Sequence, residues 1–370
     1  MPLTEISSNI VFRILPGLVL WKENCINQAA YTIERTIRAL VGDSIPETRR
    51  CTLLHNVVGR VAHSMSTAQS LHVFLDFDGT LTTTDTTEKL VGLGYRHNRQ
   101  HNRDIREWEE IVVAYVEDME HHAVTYEPQA KQRRSVEEEC SFLASLKEIE
   151  QRSVRKVETA GIFRGLTVKE IDEYALEEVQ SGGVLLRDGW DRLLALVHRD
   201  GGSIGLISAN WSAVWIRQCL YHASRVDERE IVKNLRIYAN EVVGLDKPGG
   251  ASGEIMKVDT MINTSRDKAQ VLRERRQEIG EGVILYVGDS PTDLEALTTA
   301  DIGIIIRDDS IRSGDKELAD ICERVQIPVR SIDEYVPNQK STCLWWARDF
   351  EQILQSRLFR EIEASFAAEI

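Results

Sequence analysis

The chain runs to 370 residues, 42% of them hydrophobic and 28% charged, with a formal net charge of −14. That is material for a sizeable core, built either as one large domain with an insertion or as two domains. The acidic balance excludes a non-specific nucleic-acid binder, which needs a basic footprint, and leaves any anionic substrate to be drawn by a local site rather than by the field of the whole molecule.

Residues 1–70 stand apart from the rest, with seven Lys/Arg against five Asp/Glu. They read as an N-terminal extension with a helix near 26–40. An organelle-targeting leader is the competing reading, but Glu5, Glu23, Glu34, Asp43 and Glu47 spoil its acid-poor signature. No run approaches the ~20 apolar residues of a membrane span, so no membrane partner is expected. The six cysteines, Cys25, Cys51, Cys140, Cys219, Cys322 and Cys343, show no C-x-x-C spacing. Reduced thiols in a cytoplasmic protein are expected, rather than a zinc site or a disulfide framework.

From about residue 71 the pattern becomes α/β. Leu71–Leu75, Ser203–Ile207, Gly282–Val287 and Asp301–Ile306 are continuous apolar runs. Continuous rather than alternating runs predict strands buried on both faces, as in a parallel sheet covered by helices. Between Leu75 and Ser203 lies far more chain than a crossover needs. Thr86 to about Val184 is charged, helical in pattern and has one proline, Pro128, so a separate helical subdomain is expected there. A helix over Asp188–His198 leads back to the sheet. Leu235–Val243 is strand-like, and Lys247–Gly253 is a loop rich in proline and glycine. The stretch Leu344–Ala367, with Trp345, Trp346, Phe350, Ile353, Leu354, Leu358, Phe359 and Ile362, has helical spacing and reads as a core-packed helix.

Three of the apolar runs end in polar residues: Asp76 and Asp78, then Ser208-Ala209-Asn210, then Gly288-Asp289-Ser290. Ligands of open α/β sheets bind outside the carboxyl ends of the strands, so the three clusters are expected to converge. Two carboxylates at one strand end invite Mg²⁺ and a phosphate, because little else offsets so much negative charge at one point. One of them can attack phosphorus and the other can give and take protons. Each of these residues also has a plain structural reading. Asp76-Phe77-Asp78-Gly79 could be a turn, Ser208 a turn residue, Lys268 a solvated helix charge, and Asp293 a helix N-terminal acid.

Asp76-Phe77-Asp78-Gly79-Thr80-Leu81-Thr82 resembles the first motif of the haloacid dehalogenase superfamily phosphatases. The family's other signatures follow in order: Ser208 after the second strand, Lys268 in Ser265-Arg266-Asp267-Lys268-Ala269, and Gly288-Asp289-Ser290-Pro291-Thr292-Asp293 as the acidic fourth motif. The resemblance runs over about residues 71–335. It implies Asp76 as nucleophile and Asp78 as general acid and base. It also implies Ser208, Ala209 and Lys268 around the phosphoryl group, and Mg²⁺ held at Asp76, Asp78 (through its carbonyl), Asp289 and Asp293. The family's dehalogenases lack the second aspartate and its transport ATPases have threonine there, so Asp78 favours phosphate esters.

The resemblance also implies a fold: a Rossmann-like core over residues 71–85 and 185–340, with a parallel sheet flanked by helices. A helical cap over 86–184 is inserted between the first two motif strands, and a C-terminal helix covers 341–370. A cap in that place is similar to the subgroup of phosphoserine phosphatase and related enzymes of small molecules, and argues against phosphoprotein substrates. Around the leaving group, Asp85, Arg164 and Trp211 are candidates. Asp85 reads equally as a helix N-cap, Arg164 as a solvent-facing charge, and Trp211 as core. The expected activity is Mg²⁺-dependent hydrolysis of a small phosphorylated metabolite. The alternatives are phosphate transfer at the same site, or a catalytically silent binding protein on this fold.

Overall fold

The computed structural model describes residues 70–103, 108–255, 261–308, 313–336 and 343–367. The predicted N-terminal extension and its helix near 26–40 lie outside the described residues. Seven parallel strands form one sheet in the order β3-β2-β1-β4-β5-β7-β6. They are β1 (Leu71–Leu75), β2 (Ser203–Ile207), β3 (Arg236–Tyr238), β4 (Val283–Gly288), β5 (Ile302–Ile306), β6 (Val329–Ser331) and β7 (Leu344–Ala347).

The apolar runs form the middle of this sheet because both of their faces are covered. Val73, Leu206, Ile207, Tyr286, Val287, Ile304 and Ile306 are all fully buried. In register, Val73 pairs with Ile204 on one side and Leu285 on the other. The strands β2, β1 and β4 are therefore immediate neighbours, and their carboxyl ends, where Ser208, Asp76 and Asp289 follow, lie side by side. Neighbouring strands sit about 4.8 Å apart, so this order alone brings together three segments that are distant in the chain.

The helices outside the insertion are α6 (Trp190–Arg199), α7 (Ala213–Ala223), α8 (Arg229–Asn234), α9 (Ser265–Ile279), α10 (Leu294–Thr299), α11 (Ser313–Arg324), α12 (Phe350–Gln355) and α13 (Arg357–Ala367). The insertion between β1 and α6 is helical, as expected: α1 (Thr87–Gln100), α2 (Trp108–Thr125), α3 (Val136–Ser145), α4 (Lys147–Ala160) and α5 (Val168–Ser181). Capping boxes start α3 at Ser135 and Glu138 and α5 at Thr167 and Glu170, and α5 stops at Gly182 in the left-handed region. None of the described helices is long and apolar enough to cross a membrane.

Two expectations need correction. Leu344–Ala347 is not the start of a C-terminal helix over 341–370; it is β7, paired with both β5 and β6. Four residues are too few to separate a period of 3.6 from one of 2, and the helical spacing belongs only to the residues that follow, α12 and α13. The insertion, in turn, is not a separate subdomain. Cys140, Leu143, Leu146 and Ile149 join the same hydrophobic cluster as Leu272, Ile284, Leu294 and Leu318.

Polar contacts hold the same seam. Glu139, buried, takes Arg133 from the insertion and Arg324 from α11. Lys147 reaches Asp267 at the start of α9. Backbone bonds from Gly165 N to Ala251 O (2.8 Å) and from Ala251 N to Leu166 O (2.8 Å) stitch the insertion to the loop after β3.

Candidate active site

As the chain leaves β1 it turns sharply. Leu81 N and Thr82 N both donate to Phe77 O, at 2.9 and 3.0 Å. Gly79 occupies the tightest point with φ +75°. A Cβ there would lie 2.2 Å from Asp289 Oδ2, so the position needs glycine for its backbone conformation and for room. Gly288 meets the same limit, since its Cβ would fall 2.4 Å from Asp293 Cγ. The two glycines let the first and fourth motifs approach each other.

Asp76 is buried. Its Oδ1 accepts the Phe77 N–H at 2.7 Å and its Oδ2 takes the Lys268 ammonium at 2.6 Å. Lys268 arrives on the first turn of α9, whose capping box at Thr264 and Asp267 fixes where the helix begins. The ammonium is 1% exposed and also donates to Asp293 Oδ1 at 2.8 Å. Asp293 is held from every side. Tyr286 Oη donates to Oδ1 at 2.7 Å, while Asp289 N, Ser290 N and Ser290 Oγ reach Oδ2 at 3.1 to 3.2 Å. Asp289 accepts the Thr80 hydroxyl at 2.6 Å. Carboxylate oxygens of Asp76, Asp289 and Asp293 all lie within 4.8 Å of one another.

The electrostatics follow from this crowding. Burial, with Asp293 and Asp78 adding to it and Lys268 opposing it, raises Asp76 to about 7. Burial and then Asp293 and Asp76 hold Asp289 well above the ordinary carboxylate range. Burial works against the Lys268 charge, but Asp293 and Asp76 outweigh it and keep the ammonium firmly protonated. Three acids facing one ammonium leave negative charge uncompensated. Hard oxygen donors at this spacing fit a small divalent cation such as Mg²⁺. Asp76 and Asp289 are the freer ligands, while the five bonds on Asp293 suit it to orienting its neighbours.

Asp78 points into different company. Its Oδ1 accepts both Thr86 N (2.8 Å) and Thr86 Oγ1 (2.6 Å), and its Oδ2 accepts Asn210 Nδ2 at 2.7 Å. Burial and then the nearby Asp85 raise it to about 6, against these bonds. Trp215 Nε1 on α7 donates to Thr86 Oγ1 at 2.9 Å. Ser208 is buried beside this group, its Oγ accepting Asn210 N at 3.2 Å.

The structure thus brings together Asp76, Lys268, Asp289 and Asp293, and places Asp78 and Ser208 at the adjoining strand ends. The residues chosen around the leaving group stand in other surroundings. Asp85 is exposed, acts on Asp78 through its charge, and its Oδ1 accepts Thr87 N at 2.6 Å from one residue before Thr86, the helix N-cap. Arg164 is exposed and packs beside Gly161 and Gly253. Trp211 stands on the loop after β2, half-buried, edge-on to Trp108 (6.0 Å between ring centres) and Phe163 (6.1 Å) of the insertion.

Sequence reasoning missed Thr80, Thr86, Trp215, Tyr286 and Arg187. The buried Arg187 holds the first-motif turn from behind, donating to Gly79 O at 2.9 Å and to Asp308 at 2.6 Å. Only Thr80 carried a signal, by lying inside the first motif. Thr86 and Tyr286 lie within eight residues of the aspartates they bond but in no motif, and Trp215 and Arg187 reach the site from more than a hundred residues away.

Comparison with known proteins identifies the family of the chain. The family model of the haloacid dehalogenase-like hydrolases matches residues 73–298. The chain belongs to that family. It is 25% identical over 263 residues to the mitochondrial bifunctional TH2 protein of Arabidopsis thaliana, an overlap of 65% of this chain and 40% of that one. The chain therefore spans less than half the length of that relative. It is 27% identical over 291 residues to a CTO1 family protein of Schizosaccharomyces pombe, covering 74% of this chain and 95% of the other. Among solved structures, substrate-bound phosphoserine phosphatase superposes with a TM-score of 0.43 at 13% identity, over 78% of this chain and 97% of that one. Cytosolic 5′-nucleotidase IIIB bound to cytidine gives 0.43 at 15%, over 78% and 88%.

Proposed function

We propose that the chain is a phosphatase of a small phosphorylated metabolite, working through an aspartyl-phosphate on Asp76. The observation that carries this reading is the unlike treatment of two neighbouring aspartates. Asp76 bonds to an ammonium inside an acidic cluster, and Asp78 is held apart by neutral donors.

In this reading an Asp76 oxygen attacks phosphorus and the P–O bond to the leaving group breaks. Asp78 gives that oxygen its proton. Asp78 then takes a proton from the water that attacks the phosphorus, releasing phosphate and restoring Asp76. Lys268, Ser208 and the backbone at Ala209 meet the phosphoryl oxygens, with Lys268 acting as a point charge. Mg²⁺ at Asp76 and Asp289, with Asp293 behind them, would offset the charge that acids and phosphate bring together.

The helical insertion serves as a cap that keeps bulk water from the acyl phosphate. Trp211 and Trp108, half-buried and edge-on to each other, are the candidates for the surface against which the leaving group rests. Free, buried thiols at Cys140, Cys219 and Cys322 suit a reducing compartment such as the cytoplasm.

The test is a panel of phosphate monoesters assayed with and without Mg²⁺, on the native chain and on Asp76→Asn. The expected result is Mg²⁺-dependent phosphate release, with turnover and acid-stable phospho-enzyme both absent in the variant. Full activity in Asp76→Asn would sink the mechanism.

A further inference from the structure

The second strand-end loop reads Ser208-Ala209-Asn210, and the mechanism above uses only the first two of these residues. Asn210 is 3% exposed, and its side chain is fixed at both ends. Its Oδ1 accepts the Ser212 N–H at 3.1 Å, which assigns the other terminal atom as nitrogen. That nitrogen donates to Asp78 Oδ2 at 2.7 Å. Its backbone is held as well. The N–H donates to Ser208 Oγ at 3.2 Å, and the carbonyl accepts Asn240 N at 3.2 Å and Asn240 Nδ2 at 3.3 Å. Asn210 therefore cannot turn without breaking the loop that carries Ser208.

On the opposite oxygen of Asp78, Thr86 supplies two donors. Trp215 Nε1 occupies a lone pair of the Thr86 hydroxyl and so directs its hydrogen toward Asp78. Oδ1 thus receives two donors and Oδ2 receives one. Among these contacts Oδ2 alone retains a lone pair free for a travelling proton, and the bond from Asn210 sets the direction of that lone pair.

We propose that Asn210 is a positioning residue for proton transfer: it aims Asp78 Oδ2 at the leaving oxygen and registers it against the phosphate-binding Ser208. This rests on the phosphatase reading. A neutral amide suits the task. It fixes the direction of the carboxyl group through one bond and brings no charge of its own, unlike the ammonium at Asp76.

The experiment is a leaving-group series. Substituted phenyl phosphates from 4-nitrophenyl to unsubstituted phenyl are assayed by kcat/KM with Mg²⁺, and thermal unfolding checks the fold. Nitrophenolate departs without a proton, whereas phenolate is helped by one. Asn210→Ala is expected to lose roughly tenfold or more on phenyl phosphate beyond its loss on 4-nitrophenyl phosphate, steepening the dependence on leaving-group basicity. In an Asp78→Asn background, which is steep already, Asn210→Ala should steepen it no further. If Asn210→Ala does not fold, Asn210→Ser is read the same way.

An equal loss along the series, no loss, or a further steepening in the Asp78→Asn background would overturn the proposal. Those outcomes occur in a working enzyme and leave the phosphatase reading standing. A native chain that turns over none of the series and forms no phospho-enzyme removes both.

Discussion

Asp76 and Asp78 leave the same strand end and meet opposite surroundings. Around Asp76 the protein collects charge: two further acids and one buried ammonium. Around Asp78 it collects an amide, a hydroxyl and a backbone N–H, the hydroxyl itself backed by an indole. Burial raises both acids, to about 7 and about 6. Burial therefore does not distinguish them; the kind of support does. Their partners differ in kind: Asp76 shares one ammonium with two further acids, a set that suits a cation, while Asp78 sits among neutral donors that fix its direction.

The largest expected effect comes from removing the one positive charge of the first group. Lys268→Met leaves Asp76, Asp289 and Asp293 facing one another in a buried site. Breaking such a pair costs about 3–5 kcal/mol, so the urea midpoint should fall sharply near neutral pH and recover in part with Mg²⁺. An unchanged midpoint would mean that the acids do not depend on the ammonium, and the comparison would fail.

A smaller effect is expected from the cation itself. The folded-state values of Asp76 and Asp78 stand above the ordinary 3.8. Their contribution to metal-free stability is therefore complete at low pH and is lost as pH rises through about 6 to 7. Mg²⁺ binds the ionised cluster, so its gain in Tm should grow across the same window. At a concentration of about 100 times Kd, the gain near pH 7.5 is expected to reach roughly 5 °C and to shrink near pH 5.5. Equal gains at both values would place the cation elsewhere.

The smallest change probes the second group. Trp215→Phe keeps a buried aromatic ring but deletes the donor to Thr86. It should cost about 1 kcal/mol for the bond, plus a modest cavity term, and lower kcat a few-fold while Mg²⁺ affinity is unchanged. Weakened Mg²⁺ binding, read by calorimetry, would show that the two groups are not independent.

Much of this was legible from residue order. Apolar runs ending in Asp76, Ser208 and Asp289 mark strands buried on both faces, and adjacency of β2, β1 and β4 turns the run ends into one site. Lys268 was legible only through its place in an ordered set of motifs. What stayed hidden depends mostly on partners far away in the chain. Thr86 lies only eight residues from Asp78, but nothing near it announces the bond or that Trp215, 129 residues on, backs it. The apolar face of α3 is visible as a pattern, but the pattern does not name α9 and the sheet as its cover. Trp345 and Trp346 look helical because the residues after them are, and the strand they occupy is shorter than either period needs.

The shared cluster of Cys140, Leu143, Leu146 and Ile149 with Leu272, Ile284, Leu294 and Leu318 bears on how this chain can be re-engineered or diversified. Exchanging residues 86–184 for the corresponding segment of a relative would strip α9 of its cover and strand Arg324, whose carboxylate partner lies in the exchanged piece. The insertion is therefore no interchangeable cassette. Under the proposed function, new substrate preferences would arise by point changes around Trp108 and the facing Trp211 rather than by wholesale replacement.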